Sequence, residues 1–568
     1  MALGLGAKRI TKINTRRNFI KKVGASSALM FLPGTMLPFG YKSWDIPEEW
    51  VEAEISKGKI KGMRSAGVNI FKGIPYAGKV SGDRRFRRPG PLEAWTGVLD
   101  TFELGPPAIQ APRRNEPAPA EDCLFLNVWT PANDGKKRPV MFYSHGGGFV
   151  IGSGGSAGQD GANLARNFDV VVVETNHRLG MLGFMYLDEI AGPEYEGSGN
   201  MGLLDITEGL KWVNENIHVF GGDPDNVMIF GESGGGAKTS CLYAMPEASP
   251  YFNKASIESG PGVRMLTKDM GAQNTELVLN EFGISKNNWK KLLDVPTDEI
   301  LKVQAKIPFV PPFQEKKNTG GLTDPAVGGF GPVVDGTVLP NHPFDPTAPK
   351  ISKDKPLMVG WNEDEYTFFA WERKDTEFAT LDFESLKTRL TPQFGEDTPK
   401  IIEVYRKARP EASPADIFVA VSSIVMMGLG SIEIAQRKAK QDGAPVYLYN
   451  FGYKSEKPVP GTDYPMGTPH AMDISFKFNN EQPPKDGEPD RPSFFGGGRP
   501  ERFTASHNMA AYWTGFAKTG TPYAEDLPAW PEYNLNSKPM MRIDTECVVI
   551  EDRFSQELAM WREIGRLP

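Results

Sequence analysis

The sequence predicts an α/β fold, a mostly parallel sheet with helices packed on its faces. Three observations carry that expectation. Short apolar runs rich in β-branched residues, at Val140–Tyr143, Asp169–Glu174 and Asn226–Phe230, have the pattern of strands buried on both faces. Helical periodicity lies between them, with Ile206, Leu210, Val213 and Ile217 recurring at spacings of four, three and four. The glycine motifs His145–Gly148 and Gly231–Gly235 follow the first and third runs, at strand carboxyl ends, where sheets of this class place their sites.

Composition agrees with a globular protein. At 39% hydrophobic and 24% charged residues, the chain is neither disordered nor fibrous. A formal net charge of −7 argues against a nucleic-acid partner. Three widely spaced cysteines, Cys123, Cys241 and Cys547, make no disulfide framework, and no Cys/His cluster has metal-ligand spacing, so no metal is expected.

The first residues predict an address. Lys8, Arg9, Lys12, Arg16, Arg17, Lys21 and Lys22 form a basic region before the small, apolar Val23–Leu37. Gly24, Pro33 and Gly34 break that stretch, which is too short for a stable membrane span. Thr15-Arg-Arg-Asn-Phe-Ile-Lys21 resembles a twin-arginine export motif. Residues 1–40 are therefore expected to be a signal segment read by the twin-arginine export machinery, with a periplasmic or secreted protein as the result. With no internal repeat and no low-complexity linker, residues 45–568 are expected to form one domain.

In chain order, Val51–Gly58 predicts an edge strand and turn, and Val68–Ala77 and Leu124–Val128 further strands. Glu103–Pro119 is proline-rich and aperiodic, a surface loop. Asn163–Asn167 predicts a helix. After the glycine-flanked Ser233, Ala237–Ala244 is compatible with a helix, so Asn226–Gly236 has the strand, tight turn and helix of a nucleophile elbow. Lys254–Gly260 predicts a strand and turn, Glu276–Leu293 a helix, and Pro308–Gly331 a long loop. Pro356–Trp361 is a buried strand. Leu381–Met427 predicts helices separated by Pro392, Pro410 and Pro414, Ile432–Gln441 another helix, Pro445–Phe451 a last strong strand, and Ser506–Lys518 a helix.

A serine in such an elbow needs a base, an acid to orient the base, and donors for an oxyanion. In this architecture the order along the chain is serine, acid, histidine. His145, His177 and His218 precede Ser233, His342 sits in a turn before any convincing acid strand, and His507 falls on a helix face. That leaves His470, in a loop beyond a late strand, as the base. The acid belongs after the strand Pro356–Trp361, where Glu363, Asp364 and Glu365 stand together, and spacing alone does not choose among them. Gly146–Gly148 offers backbone N–H groups free of the sheet, and the N–H of Gly234 is the other donor. A phosphate loop is excluded, because no Gly-Lys-Ser/Thr follows the triple glycine.

Taken together, Phe71–Ala77, Glu121–Val128, His145–Phe149, Asn176–Gly180, Gly199–Leu203, Phe220–Pro224, Gly231–Gly235, Asn362–Glu365, His470–Asp473 and Phe516–Gly520 resemble the motifs of the type-B carboxylesterases, in family order over about residues 50 to 535. That family includes the cholinesterases and the bacterial para-nitrobenzyl esterases. The resemblance implies an α/β-hydrolase fold and hydrolysis of a small-molecule carboxylic ester without cofactor. It implies Ser233 as nucleophile, Glu365 as acid, His470 as base, and Gly147, Gly148 and Gly234 as oxyanion donors. An amidase or a transacylase would use the same residues, whereas the family's adhesion proteins have lost triad members that this chain keeps.

The chain departs from the family in places. Gly234 replaces the usual alanine, so an alanine there is expected to be tolerated and to stiffen the elbow. Tyr366 and Ala471 replace glycines that follow the acid and the base, and Asp473 stands for a glutamate. Cys123 matches a family disulfide cysteine whose partner position holds Ala108, which implies an unpaired thiol. Phe149, Phe309, Phe313, Phe330, Phe368 and Phe369 are candidates for an apolar pocket.

Overall fold

The computed structural model describes residues 49–307, 329–484 and 487–567. The expected signal segment and most of the 308–331 loop, Phe309 and Phe313 included, lie outside them.

Among the described residues, one thirteen-stranded sheet organises the chain. Its strands are β1 (Glu49–Ile55), β2 (Gly58–Ser65), β3 (Val68–Pro75), β4 (Val98–Asp100), β5 (Phe125–Thr130), β6 (Arg138–Ser144), β7 (Val171–Thr175), β8 (Gly222–Glu232), β9 (Lys254–Glu258), β10 (Leu357–Asn362), β11 (Val446–Phe451), β12 (Pro539–Ile543) and β13 (Val548–Glu551). They lie in the order β1-β2-β3-β5-β7-β6-β8-β9-β10-β11-β12-β13, with β4 beside β2. From β7 through β12 every pairing is parallel, and the flanking strands pair antiparallel except β4, which lies parallel to β2. Every residue of β7, β9, β10 and β11 is buried, which explains why β7, β10 and β11 read as largely apolar runs rather than alternating ones, while β9 buries Lys254, Ser256 and Glu258 as well.

The connectivity places the site. The chain leaves β6 for β7 on one side and comes back to β8 on the other. The carboxyl end of β6 is thus a switch point, and Gly146–Gly148 hang from it beside the end of β8. The expected amphipathic helix is Met201–Asn216, burying Leu203, Ile206, Leu210 and Val213. A buried ion pair ties its first turns to the loop after β7: Arg178 Nη2 donates to Asp205 Oδ1 at 2.7 Å, and Nε to Oδ2 at 2.9 Å.

Helix boundaries differ from expectation where glycine and proline act in ways that local patterning does not reveal. The helix expected over Glu276–Leu293 is two pieces, Lys268–Glu281 and a 3₁₀ segment Lys286–Asp294. Gly283 adopts φ 63° between them, and Ile284 N–H donates back to the Leu279 carbonyl, so a left-handed residue closes the first helix. Pro392 does not separate helices but lies inside Phe383–Phe394. Pro414 opens a helix at its first position, where the missing N–H costs nothing, under a Ser413 cap. That helix runs unbroken over Pro414–Ala439, through a π turn at Ile424–Gly428, so the separate helix expected at Ile432 is its second half. Gly428 permits close packing there, since a Cβ on it would lie 3.1 Å from the Trp361 ring. The sheet also continues past β11, with the short β12 and β13.

Candidate active site

The site is assembled at strand ends. β8 finishes at Glu232, and helix Gly234–Ala244 starts immediately, leaving Ser233 alone in the turn with φ 59° and ψ −124°. A non-glycine residue in that region carries about 1–3 kcal/mol of strain. The surroundings hold it: Ser233 N–H donates to the Glu258 carbonyl at 2.9 Å, and its own carbonyl accepts from Ala237 N–H at 3.1 Å. The two motif glycines are sterically required. A Cβ on Gly235 would fall 2.0 Å from the Ser144 carbonyl oxygen, and one on Gly231 2.6 Å from the Gly235 backbone.

Gly234 is equally constrained, which corrects the expectation that alanine fits there. A Cβ at Gly234 would lie 2.0 Å from the Gly148 carbonyl oxygen. The residue after the serine therefore abuts the glycine loop backbone directly, and the three expected oxyanion donors share one crowded corner. Gly147 and Gly148 have φ 84° and 63°, conformations that a side chain would strain. Behind the loop, Lys238 is fully buried on the helix that follows Ser233 and donates to the His145 carbonyl at 2.9 Å. Burial lowers its pKa to about 7. The buried rings of His145 and His177 stack with centroids 4.4 Å apart, and burial pulls both below the ordinary histidine value.

Of the three clustered carboxylates, the structure directs one to His470. Glu365 starts the helix after β10 with its side chain wholly buried. Its Oε2 lies 2.6 Å from His470 Nδ1, while Oε1 accepts from Ser259 Oγ at 2.6 Å and from Asn362 N–H at 2.7 Å. Asp364 pairs instead with Lys454, and Glu363 with Lys454, Arg542 and Arg553. Successive side chains diverge, as their spacing requires. Ser259, at φ 43° just past β9, was not found by sequence reasoning; the only signal was its place in Glu258-Ser-Gly260 at a strand end.

His470 lies beyond β11 and a two-stranded hairpin of Ser455–Pro458 with Pro465–Gly467, just before helix Met472–Lys477. Ala471 takes φ 67°, a left-handed conformation that glycine adopts more readily than alanine. The other ring nitrogen, Nε2, is 3.3 Å from Glu232 Oε1. Glu232 immediately precedes Ser233, so this contact brings the imidazole to the elbow. Burial alone would lower the His470 pKa, but Glu232 and then Glu365 outweigh it and raise it; burial raises Glu232.

The remaining histidines behave as ordinary structure. His507 is exposed on its helix with its ring against Phe168, His342 Nδ1 accepts from Met265 N–H, and His218 is exposed. Phe368 and Phe369 flank the His470 ring at centroid distances of 5.5 and 5.0 Å. Phe330 is buried in the core, and Phe149 packs on Phe184. Cys123 is a free, buried thiol. Among the described residues no group of three His, Cys, Asp or Glu side chains is placed to hold a metal ion.

The family model described as "Carboxylesterase family" matches residues 49–561. The para-nitrobenzyl esterase of Bacillus subtilis (strain 168) is 34% identical over 511 residues, spanning 88% of this chain and 96% of its own. The fumonisin B1 esterase of Sphingopyxis macrogoltabida is 31% identical over 496 residues, spanning 85% of this chain and 84% of its own. Among solved structures, a Geobacillus stearothermophilus carboxylesterase superposes with a TM-score of 0.76 at 36% identity, covering 90% of this chain and 99% of that one. A parallel sheet with glycine motifs at its carboxyl ends, matched along nearly its whole length, means that this chain belongs to the carboxylesterase family and is a carboxylesterase with the α/β-hydrolase fold.

Proposed function

We propose that the enzyme hydrolyses carboxylic esters through an acyl-enzyme on Ser233. The observation that carries this is the buried 2.6 Å contact of His470 Nδ1 with Glu365, on an imidazole held beside the strained Ser233 turn. Ser233 Oγ attacks the ester carbonyl while His470 Nε2 takes its proton. Glu365 keeps the other ring N–H directed and balances the imidazolium. The N–H groups of Gly147, Gly148 and Gly234 receive the carbonyl oxygen as it becomes an oxyanion, assisted by the N-terminus of helix Gly234–Ala244. Collapse breaks the bond to the alkoxy oxygen, and the alcohol leaves with the proton from His470. Water then gives a proton to His470, attacks the acyl carbon, and releases the acid while Ser233 recovers its proton. No cofactor enters this sequence. Phe368 and Phe369 beside the imidazole favour esters with an apolar or aromatic group.

We further propose that the protein is exported by the twin-arginine route, on the strength of Thr15–Lys21 and the apolar stretch behind it. Changing Arg16 and Arg17 together to Lys should leave the enzyme in the cytoplasm on cell fractionation. Undiminished export of that variant would contradict the proposal.

Ser233→Ala should lose about 10⁴-fold or more in kcat toward a para-nitrophenyl ester, with an unchanged circular dichroism spectrum. Turnover at the parental rate would remove Ser233 from the chemistry. Gly234→Ala should fold but force the Gly148 carbonyl away, lowering kcat about 10- to 100-fold. Full activity in that variant would mean that the contact yields without disturbing the donors.

A further inference from the structure

Beneath His470 lies a group of buried charges that the reaction as written does not use. Lys477, with no exposed surface, ends the short helix that starts just after His470. Its ammonium is 2.6 Å from Glu258 Oε2 and 2.9 Å from Asp473 Oδ2, and it faces the ring of Tyr143 at 5.6 Å. Asp473 and Glu258 are likewise completely buried. Glu258 Oε1 accepts from Ser256 Oγ and from the Trp513 indole. Asp473 Oδ1 accepts from Asn362 Nδ2 at 3.1 Å. The same Asn362 amide donates to the Pro469 carbonyl at 2.8 Å, one residue before His470, and the Asn362 backbone N–H holds Glu365. A continuous chain of polar contacts thus joins Lys477 to both partners of the imidazole–carboxylate pair.

The charge count makes this cation consequential. Glu232, Glu365 and Asp473 are buried around one imidazole, Glu258 is buried beside Asp473, and Lys477 is the permanent cation among them. The ionisable groups facing His470 are Glu365 at the end of β10, Glu232 at the end of β8, and Asp473 on its own helix. Those facing Lys477 are Glu258 from β9, Glu232 from β8 and Asp473, with the buried phenols of Tyr143 on β6 and Tyr449 on β11 beside the same carboxylates. Without a fixed cation, Asp473 would act unbalanced on an imidazole that already has two carboxylates. The imidazole would then hold its proton more tightly and accept one from a serine only at higher pH.

We propose that Lys477 is a positioning residue for the reaction: its ammonium offsets the buried carboxylates under the site, Asp473 foremost, so that His470, held in register by Asn362, gives up its proton more readily than those carboxylates alone would allow. This rests on His470 being the base. It does not follow from the Ser233, His470 and Glu365 assignments themselves, which name no cation.

The test follows His470 in two ways, by the acid limb of the pH profile of kcat/KM and by NMR titration of the imidazole in the intact enzyme. The second readout does not depend on His470 being catalytic, so failure of the base assignment and failure of this proposal are separable. His470 is raised above the ordinary value near 6.5, so in the parent the limb should lie above that pH, with activity lost as pH falls through it. Lys477→Met should move both readouts about one pH unit to the alkaline side. Asp473→Asn should move them the other way, and Lys477→Arg should leave them near the parental position. The double variant Asp473→Asn/Lys477→Met removes one charge of each sign and should return toward the parent. If Lys477→Met does not fold, comparing the double variant with Asp473→Asn isolates the same effect, and the double should titrate at the higher pH. Parental titration of His470 in folded Lys477→Met, or no difference between Asp473→Asn and the double, would overturn the proposal.

Discussion

The structure depends on a backbone conformation that a serine does not adopt unaided. Ser233 sits at φ 59°, and the atoms that keep it there are main-chain atoms of two other segments, at the ends of β6 and β9. The Ser144 carbonyl crowds Gly235, the Gly148 carbonyl crowds Gly234, and a Cβ on Gly260 would lie 1.9 Å from the Ser233 carbonyl oxygen. The elbow is over-determined by close packing of the ends of β6, β8 and β9. That is how about 1–3 kcal/mol of local strain persists in a folded chain. Parallel pairing is what brings those ends together: neighbouring strands finish at one edge of the sheet, so loops far apart in sequence meet around one side chain.

Around this rigid turn the protein gathers an unusual amount of buried charge. Glu365 is held by Ser259, Asn362 and His470 at once, which leaves it little freedom to point elsewhere. Glu232 reaches the far side of the same imidazole. Carboxylates on both ring nitrogens would make a poor base unless the surrounding charge is balanced, and Lys477 is situated to balance it. On the opposite side, Lys238 braces the glycine loop through the His145 carbonyl. Both lysines lie just past the residues whose environments they set, five positions after Ser233 and seven after His470.

Much of this was legible in the sequence, because the features involved are local. Strand runs such as Val140–Tyr143 announce their own burial, and Gly231 and Gly235 announce a turn that excludes side chains. Elimination among the histidines reached the imidazole that contacts Glu365, since chain order limits where such a histidine is sought. Other features were not local. Choosing Glu365 over Glu363 and Asp364 needed either a family pattern or the three-dimensional paths of consecutive side chains. Ser259 and Lys477 carry no motif that marks them, because their meaning lies in contacts across β9, β10 and the Met472–Lys477 helix. The obstacle to alanine at Gly234 was hidden for the same reason: it is the carbonyl of Gly148, 86 positions earlier in the chain. Helix ends at Gly283 and Pro392 were misplaced because tertiary packing decides whether a glycine stops a helix and whether a proline is carried inside one.

The central claim is that the Ser233 turn and the Glu365–His470 pair form one reactive unit. Its most direct measurement is reaction of the purified enzyme with a fluorophosphonate, followed by intact-mass analysis and peptide mapping. The account predicts a single adduct on the peptide that contains Ser233, and loss of labelling in His470→Ala. An adduct on a different residue, or undiminished labelling of Ser233 when His470 is absent, would contradict it.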